Sequence, residues 1–367
     1  MAEPFNNLLK ATSRSFYLTL RALPAAVRPQ IGLAYLLART ADTIADTEIV
    51  PLAQRLDALQ KLRERILGQS SAPLNFGEFA RRQGSPAEKL LLEKTGDSLA
   101  LLQTLSPPDL KLVRDVLTTI TGGQELDLRR FGSLVSAESR PTDQQIIALE
   151  TEAELDNYTY RVAGCVGEFW TRICRAHLFP NAKLNDSSAT EFGKPEAGME
   201  KFFKQLDDSC LIQLGIRFGK GLQLVNILRD LPADLKKGRC YLPMEKLGPF
   251  HLLPETLLSP ANEANFLKLY REYLDRAESH LAAGWIYTNA LPFPQFRVRL
   301  ACAWPILIGM RTIEKLRAVN VAGLQQRVKV SRGEVRGIML RSILACPFPV
   351  AWRRLLSSGR KSCCIRR

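Results

Sequence analysis

Histidine is scarce in this 367-residue chain: His177, His251 and His280 are the whole set, which leaves little from which to build an imidazole-ligated zinc site. Eight cysteines are scattered without a CxxC pair, so they read as reduced thiols rather than a disulfide framework. No GxGxxG follows a strand, which excludes a Rossmann unit for any nicotinamide cofactor. No Pro/Gly/Ser-rich linker divides the chain cleanly. The start, MAEPFNNLLKATSRSF, lacks a basic segment followed by an apolar run, so no signal peptide is read and the expected location is the cytoplasm. Alternation with period two is nearly missing, which removes most β folds.

What remains is helical spacing. Apolar residues make up 46% of the chain, enough for a sizeable core. They recur at helical intervals through most of it. The pattern predicts helices near 5–21, 28–47, 51–67, 86–104, 107–130, 143–178, 199–231, 262–289, 295–318 and 332–345. The expected fold class is all-α. Breaks fall at 68–86, 131–142, 180–198 and 247–261, which are richer in Gly, Pro, Ser and Asn.

One stretch concentrates the chemistry: GKGLQLVNILRDLPADLKKGRCYLP, residues 219–243. On a helix, Gln223, Asn226, Asp230 and Asp234 recur at three and four and share a face. Pro232 lacks an N–H and clashes with the preceding turn, so the helix is expected to kink or end near Leu231. A single Asp pair is ordinarily a solvated pair with neighbouring cations. Here the spacing is repeated, because Tyr35, Arg39, Asp42 and Asp46 also fall at four, three and four.

Carboxylates crowded on one buried face repel, a cost removed by protonation or by a divalent cation. Magnesium suits such a site: it takes oxygen ligands and is held by one or two carboxylates while substrate phosphates and water complete the octahedron. Arg14, Arg39, Arg229 and Arg239 offer guanidinium forks that match phosphate oxygens. The site expected is a diphosphate held through metal.

In order, Ser13-Arg-Ser-Phe16, Tyr35…Arg39…Asp42-xxx-Asp46, Tyr158-xxx-Val-Ala-Gly164-xx-Gly167, Gln223-xx-Asn226-xx-Arg229-Asp230-xxx-Asp234 and Gly238-Arg239-x-Tyr-Leu-Pro243 resemble the squalene and phytoene synthases. These are the head-to-head prenyl transferases, and the likeness runs from about Ser13 to Leu340. It implies one large helical domain of the isoprenoid synthase type with a central cavity, over residues 1–345. It also implies farnesyl diphosphate as substrate, Mg2+ held by Asp42, Asp46, Asp230, Asp234 and Asn226, and Tyr158, Arg229 and Arg239 at the reacting groups. Ser13, Arg14, Phe16, Tyr35, Arg39 and Gln223 would bind substrate. Ser13 before a helical run also reads simply as an N-cap. Gly164 and Gly167 open a gap for another backbone or an isoprenoid tail.

Residues 328–335, VKVSRGEV, together with Cys302-Ala-Trp-Pro305, resemble the squalene synthase branch. In that branch the basic loop is associated with NADPH, so Lys329 is a candidate contact and squalene the favoured product. Phytoene, dehydrosqualene or presqualene diphosphate are the alternatives. Two positions depart from the pattern: Ala45 and Ala233 stand where squalene synthases commonly carry a further acid, leaving fewer metal ligands.

A net charge of +14 raises a rival class, a nucleic-acid or membrane binder. No stacked-aromatic or helix-turn-helix signature accompanies the cations, so nucleic acid is not expected. After Glu334 no acidic residue follows, which makes 346–367 a basic tail able to touch anionic lipid or simply to fray in solvent. An inactive helical scaffold is the third class, and clustered like charge argues against it.

Overall fold

The computed structural model describes residues 3–13, 16–132, 146–180 and 207–360. The first half comprises α1 (Glu3–Thr12), α2 (Phe16–Ala22), α3 (Arg28–Asp46), α4 (Leu52–Leu67), α5 (Gly77–Arg82), α6 (Pro86–Glu93), α7 (Thr95–Leu102) and α8 (Pro107–Phe131). Next, α9 (Glu152–Thr159) passes through a π-helical turn, Tyr160–Gly164, into α10 (Cys165–Leu178). The second half comprises α11 (Asp208–Lys236), α12 (Met244–Leu247), α13 (Glu263–Ala290), α14 (Phe296–Arg317), α15 (Val321–Gln325), α16 (Arg332–Ala345) and α17 (Pro349–Arg360). The protein is all-α, as its periodicity predicts.

Two apolar clusters hold it together: one centres on α3, α4 and α8, the other on α11, α13 and α14. Helix α11 is the hub, packed on α10, α13, α14 and the π turn. Its crossings with α10 and the π turn are close because Gly215 and Gly219 let the backbones meet. A Cβ on Gly167 would lie 1.9 Å from the Gly215 carbonyl oxygen, and one on Gly219 would lie 2.1 Å from that of Ala163. The gap at Gly164 and Gly167 is therefore filled by the backbone and side chains of α11, and not by an isoprenoid tail.

The expected helix 143–178 starts later than its apolar spacing suggests. Ile147–Ala148 is a two-residue strand paired in parallel with Arg239–Cys240, in the register Ile147 to Arg239 and Ala148 to Cys240. The Thr151 hydroxyl then caps α9 by accepting from the Glu154 N–H at 3.2 Å. Helix 5–21 is likewise two helices. Thr12 and Ser13 hydroxyls donate back to the carbonyls of Leu8 and Leu9, so Ser13 closes α1 rather than capping α2. Helix 86–104 breaks at Lys94, where the Thr95 hydroxyl donates to the Leu91 and Leu92 carbonyls. For the expected helix 199–231, residues 199–206 lie outside the described residues.

Pro232 neither ends nor breaks α11. Proline has no N–H for the carbonyl four residues back, which is that of Leu228. That buried oxygen instead accepts the Tyr270 Oη–H at 2.9 Å, from α13. The bond replaces the missing rung, and the helix runs on to Lys236, keeping Asp234 on the same face as Asp230.

Candidate active site

Both acidic faces lie at helix C-termini: Asp46 is the last residue of α3, and Asp234 sits in the last turn of α11. Helix carbonyls already give that end a partial negative charge. Glu48, just past α3, accepts from Lys237 Nζ at 3.1 Å and from an Arg239 guanidinium N–H at 3.1 Å, both just past α11. The two helix ends therefore meet. That brings the Asp42–Asp46 pair and the Asp230–Asp234 pair to the same region, with Arg239 and Lys237 acting on both Asp46 and Asp234.

The charges feel one another. Burial first, then the Asp46 charge, pushes Asp42 up to about 6, against the pull of Arg39 and a hydrogen bond from the Gln124 amide. Burial and Asp230 push Asp234 up to about 7, against Arg239 and Lys237. Asp46 is also raised, chiefly by burial. Yet the Asp42 side chain keeps 46% of its surface open to water. Among the described residues no three His, Cys, Asp or Glu side chains are close enough to hold a metal alone. The donor set nevertheless fits a hard cation that shares its coordination with substrate oxygens, since within each pair the carboxylates repel and Arg39, Arg229, Lys237 and Arg239 offset that only in part.

A third helix contributes what the sequence reading missed. On α8, Gln124 donates to Asp42, and Asp127 accepts the Tyr241 Oη–H at 2.9 Å while lying 4.0 Å from the Arg239 guanidinium. Burial raises the Asp127 carboxyl, and Asp46 raises it further. Tyr241 follows the short strand and stacks on Tyr158 with ring centroids 4.6 Å apart. Burial, then the charges of Asp127, Asp234 and Asp42, holds the Tyr158 phenol well above its ordinary value. Tyr158 thus senses both acidic helices. The available signal for Asp127 was Gln124-x-x-Asp127, an amide and an acid one turn apart on α8. A cavity of about 270 Å³ adjoins Asp127 and Tyr158; Leu126, Phe131 and Leu149 line part of it, and Arg130, Glu154, Asn157 and Arg161 much of the rest.

Arg239 has a 13% exposed side chain and a buried Nε with no partner among the described residues. Gly238, at φ +75°, allows the tight exit from α11 that aims it. Arg229 instead forms a bidentate pair with the adjacent Asp230, its Nε 2.9 Å from Oδ1. Arg39 is bonded to Glu88 and lies 3.8 Å from Asp42. The side chains of Gln223 and Asn226 have no hydrogen bond to another described residue, and Asn226 is exposed on the acidic face. Tyr35 donates to the Thr12 carbonyl at 3.1 Å, which ties α3 to the end of α1. Arg14 and the Phe16 side chain lie outside the described residues. Lys329 is exposed on the loop before α16, where its carbonyl accepts Lys315 Nζ at 2.9 Å; none of its contacts reaches the acids.

Solved structures share this architecture. TcSQS in complex with BPH1237 superposes with a TM-score of 0.68 at 20% identity, covering 97% of this chain and 89% of that one. A dehydrosqualene synthase gives 0.58 at 18%, over 98% and 94%. The fold class is the all-α isoprenoid synthase. In sequence, the squalene/phytoene synthase family model matches residues 9–334. The presqualene diphosphate synthase of Rhodopseudomonas palustris is 30% identical over 79% of this chain and 80% of its own length. The 15-cis-phytoene synthase of Synechocystis is 28% identical over 73% of this chain and 63% of its own, and the squalene synthase of Schizosaccharomyces pombe 24% over 92% and 64%. This chain thus spans less than two thirds of the last two relatives. It belongs to the squalene/phytoene synthase family.

Proposed function

We propose that this chain joins two farnesyl diphosphates head to head to presqualene diphosphate and, with NADPH as hydride donor, reduces that product to squalene. The observation that carries the reading is the meeting of two acidic helix ends beside Arg239, Tyr158 and Asp127. Asp42, Asp46, Asp230, Asp234 and Asn226 are assigned to magnesium, which when bound supplies the positive charge that a departing diphosphate needs. Arg239 is assigned to the phosphate oxygens through its unpartnered Nε. Arg229 and Arg39 join it only by leaving Asp230 and Glu88. Tyr158 stays protonated, so it can donate a hydrogen bond, and its ring with that of Tyr241 offers π faces to an allylic cation.

A second reading, in which the chain stops at presqualene diphosphate, is favoured by the Rhodopseudomonas palustris relative, matched over most of both chains. Product analysis after incubation with farnesyl diphosphate and magnesium, with and without NADPH, separates them. Squalene formed only with NADPH is expected. Presqualene diphosphate under both conditions selects the second reading, and phytoene from geranylgeranyl diphosphate overturns both. Asp42→Asn and Asp230→Asn are each expected to abolish turnover with the helical circular dichroism intact.

A further inference from the structure

The C-terminal helices α16 and α17 form a hairpin packed on α14. Of thirteen large apolar side chains strongly exposed among the described residues, five fall here: Leu340, Ile343, Leu344, Phe348 and Val350. They occupy the end of α16, the turn and the start of α17, so they make one apolar tip. Such concentration marks an interaction site rather than ordinary scatter. Arg336, Arg341 and Arg353 flank the tip and are exposed. Neither Arg336 nor Arg353 has a partner among the described residues, and no Asp or Glu follows Glu334.

The hairpin is not a frayed tail. Trp352 is fully buried, stacks on Trp285 with centroids 5.2 Å apart, and donates from its indole to Asn289 at 2.8 Å. The Trp304 indole donates to the Ser342 hydroxyl at 2.9 Å. Both helices are thus held while the tip stays bare, and no helix among the described residues is long and apolar enough to cross a membrane.

We infer that this tip docks in the plane of an anionic bilayer, its apolar side chains in the headgroup boundary and its arginines on lipid phosphates. A second copy of the same face would bring arginine against arginine, which disfavours self-association. The inference does not depend on which product the enzyme makes.

The test is co-sedimentation of the full chain with vesicles of phosphatidylcholine alone or mixed with phosphatidylglycerol. Binding to the mixed vesicles, weakened by salt, is expected. The double variant Leu344→Glu/Phe348→Glu should lower partitioning on the order of tenfold or more, and Arg336→Glu/Arg353→Glu should remove the preference for anionic lipid. Both variants should keep wild-type circular dichroism and prenyl transfer in detergent. Equal partitioning of variant and wild type, no binding to either vesicle, or self-association abolished by the same changes would each overturn the proposal.

Discussion

Replacing Tyr270 with Phe removes one oxygen from the core and tests why α11 tolerates Pro232. Tyr270 and Leu228 are both fully buried, so losing the 2.9 Å bond leaves the Leu228 carbonyl with neither a backbone donor nor water. An unsatisfied buried acceptor costs about 1–3 kcal/mol. With an unfolding entropy of about 2 cal/mol/K per residue, 367 residues give roughly 0.8 kcal/mol/K, so Tm should fall by roughly 1–4 °C. The sharper test is a double-mutant cycle. Pro232→Ala restores an N–H for Leu228, so in that background Tyr270→Phe should cost much less, leaving a coupling energy of about 1 kcal/mol or more. Urea melts of the four proteins measure it. An equal cost of Tyr270→Phe in both backgrounds would refute the account of how the helix survives its proline.

Gly167→Ala sets a methyl 1.9 Å from the Gly215 carbonyl oxygen, so it should cost about 3 kcal/mol or prevent folding, read by thermal circular dichroism. Tyr241→Phe strips a buried partner from Asp127 and should destabilise by about 1–2 kcal/mol in urea, while weakening turnover. Asp42 and Asp234 titrate at about 6 and about 7, above their unfolded value of 3.8. The folded state therefore holds extra protons between these values, and their contribution to stability declines as pH rises from about 4 to about 7. Without divalent metal, Asp234→Asn should flatten that decline relative to wild type in pH-dependent melts. Added magnesium should raise wild-type Tm more at pH 8 than at pH 5, and an equal rise at both would contradict the metal assignment.

The acidic repeats were legible because helical spacing alone puts Asp42 with Asp46 and Asp230 with Asp234 on single faces. Their meeting was expected only from the family resemblance, since helical spacing does not say which helix ends the tertiary fold brings together. Pro232 misled for a definable reason: local rules count its missing N–H, but the compensating hydroxyl comes from Tyr270, 38 positions on. The strand at Ile147–Ala148 was hidden because its partner lies past α11 and two residues are too few to establish a period. Gly164 and Gly167 signalled close approach correctly, without saying what approaches. Asp127 escaped notice as one of four acids on an amphipathic helix; Tyr241 and Arg239, arriving from the far half, give it a role.

The short strand pairing also bears on how the polypeptide is made. Asp42, Asp46, Glu48 and Asp127 are synthesised early, whereas Lys237, Arg239 and Tyr241 reach them only after the segment beyond α11 has been laid against Ile147. A nascent chain halted before residue 237 holds its negative charges without these counterweights. The amino-terminal half should therefore depend on the arrival of the segment past α11, or on a borrowed cation, to settle.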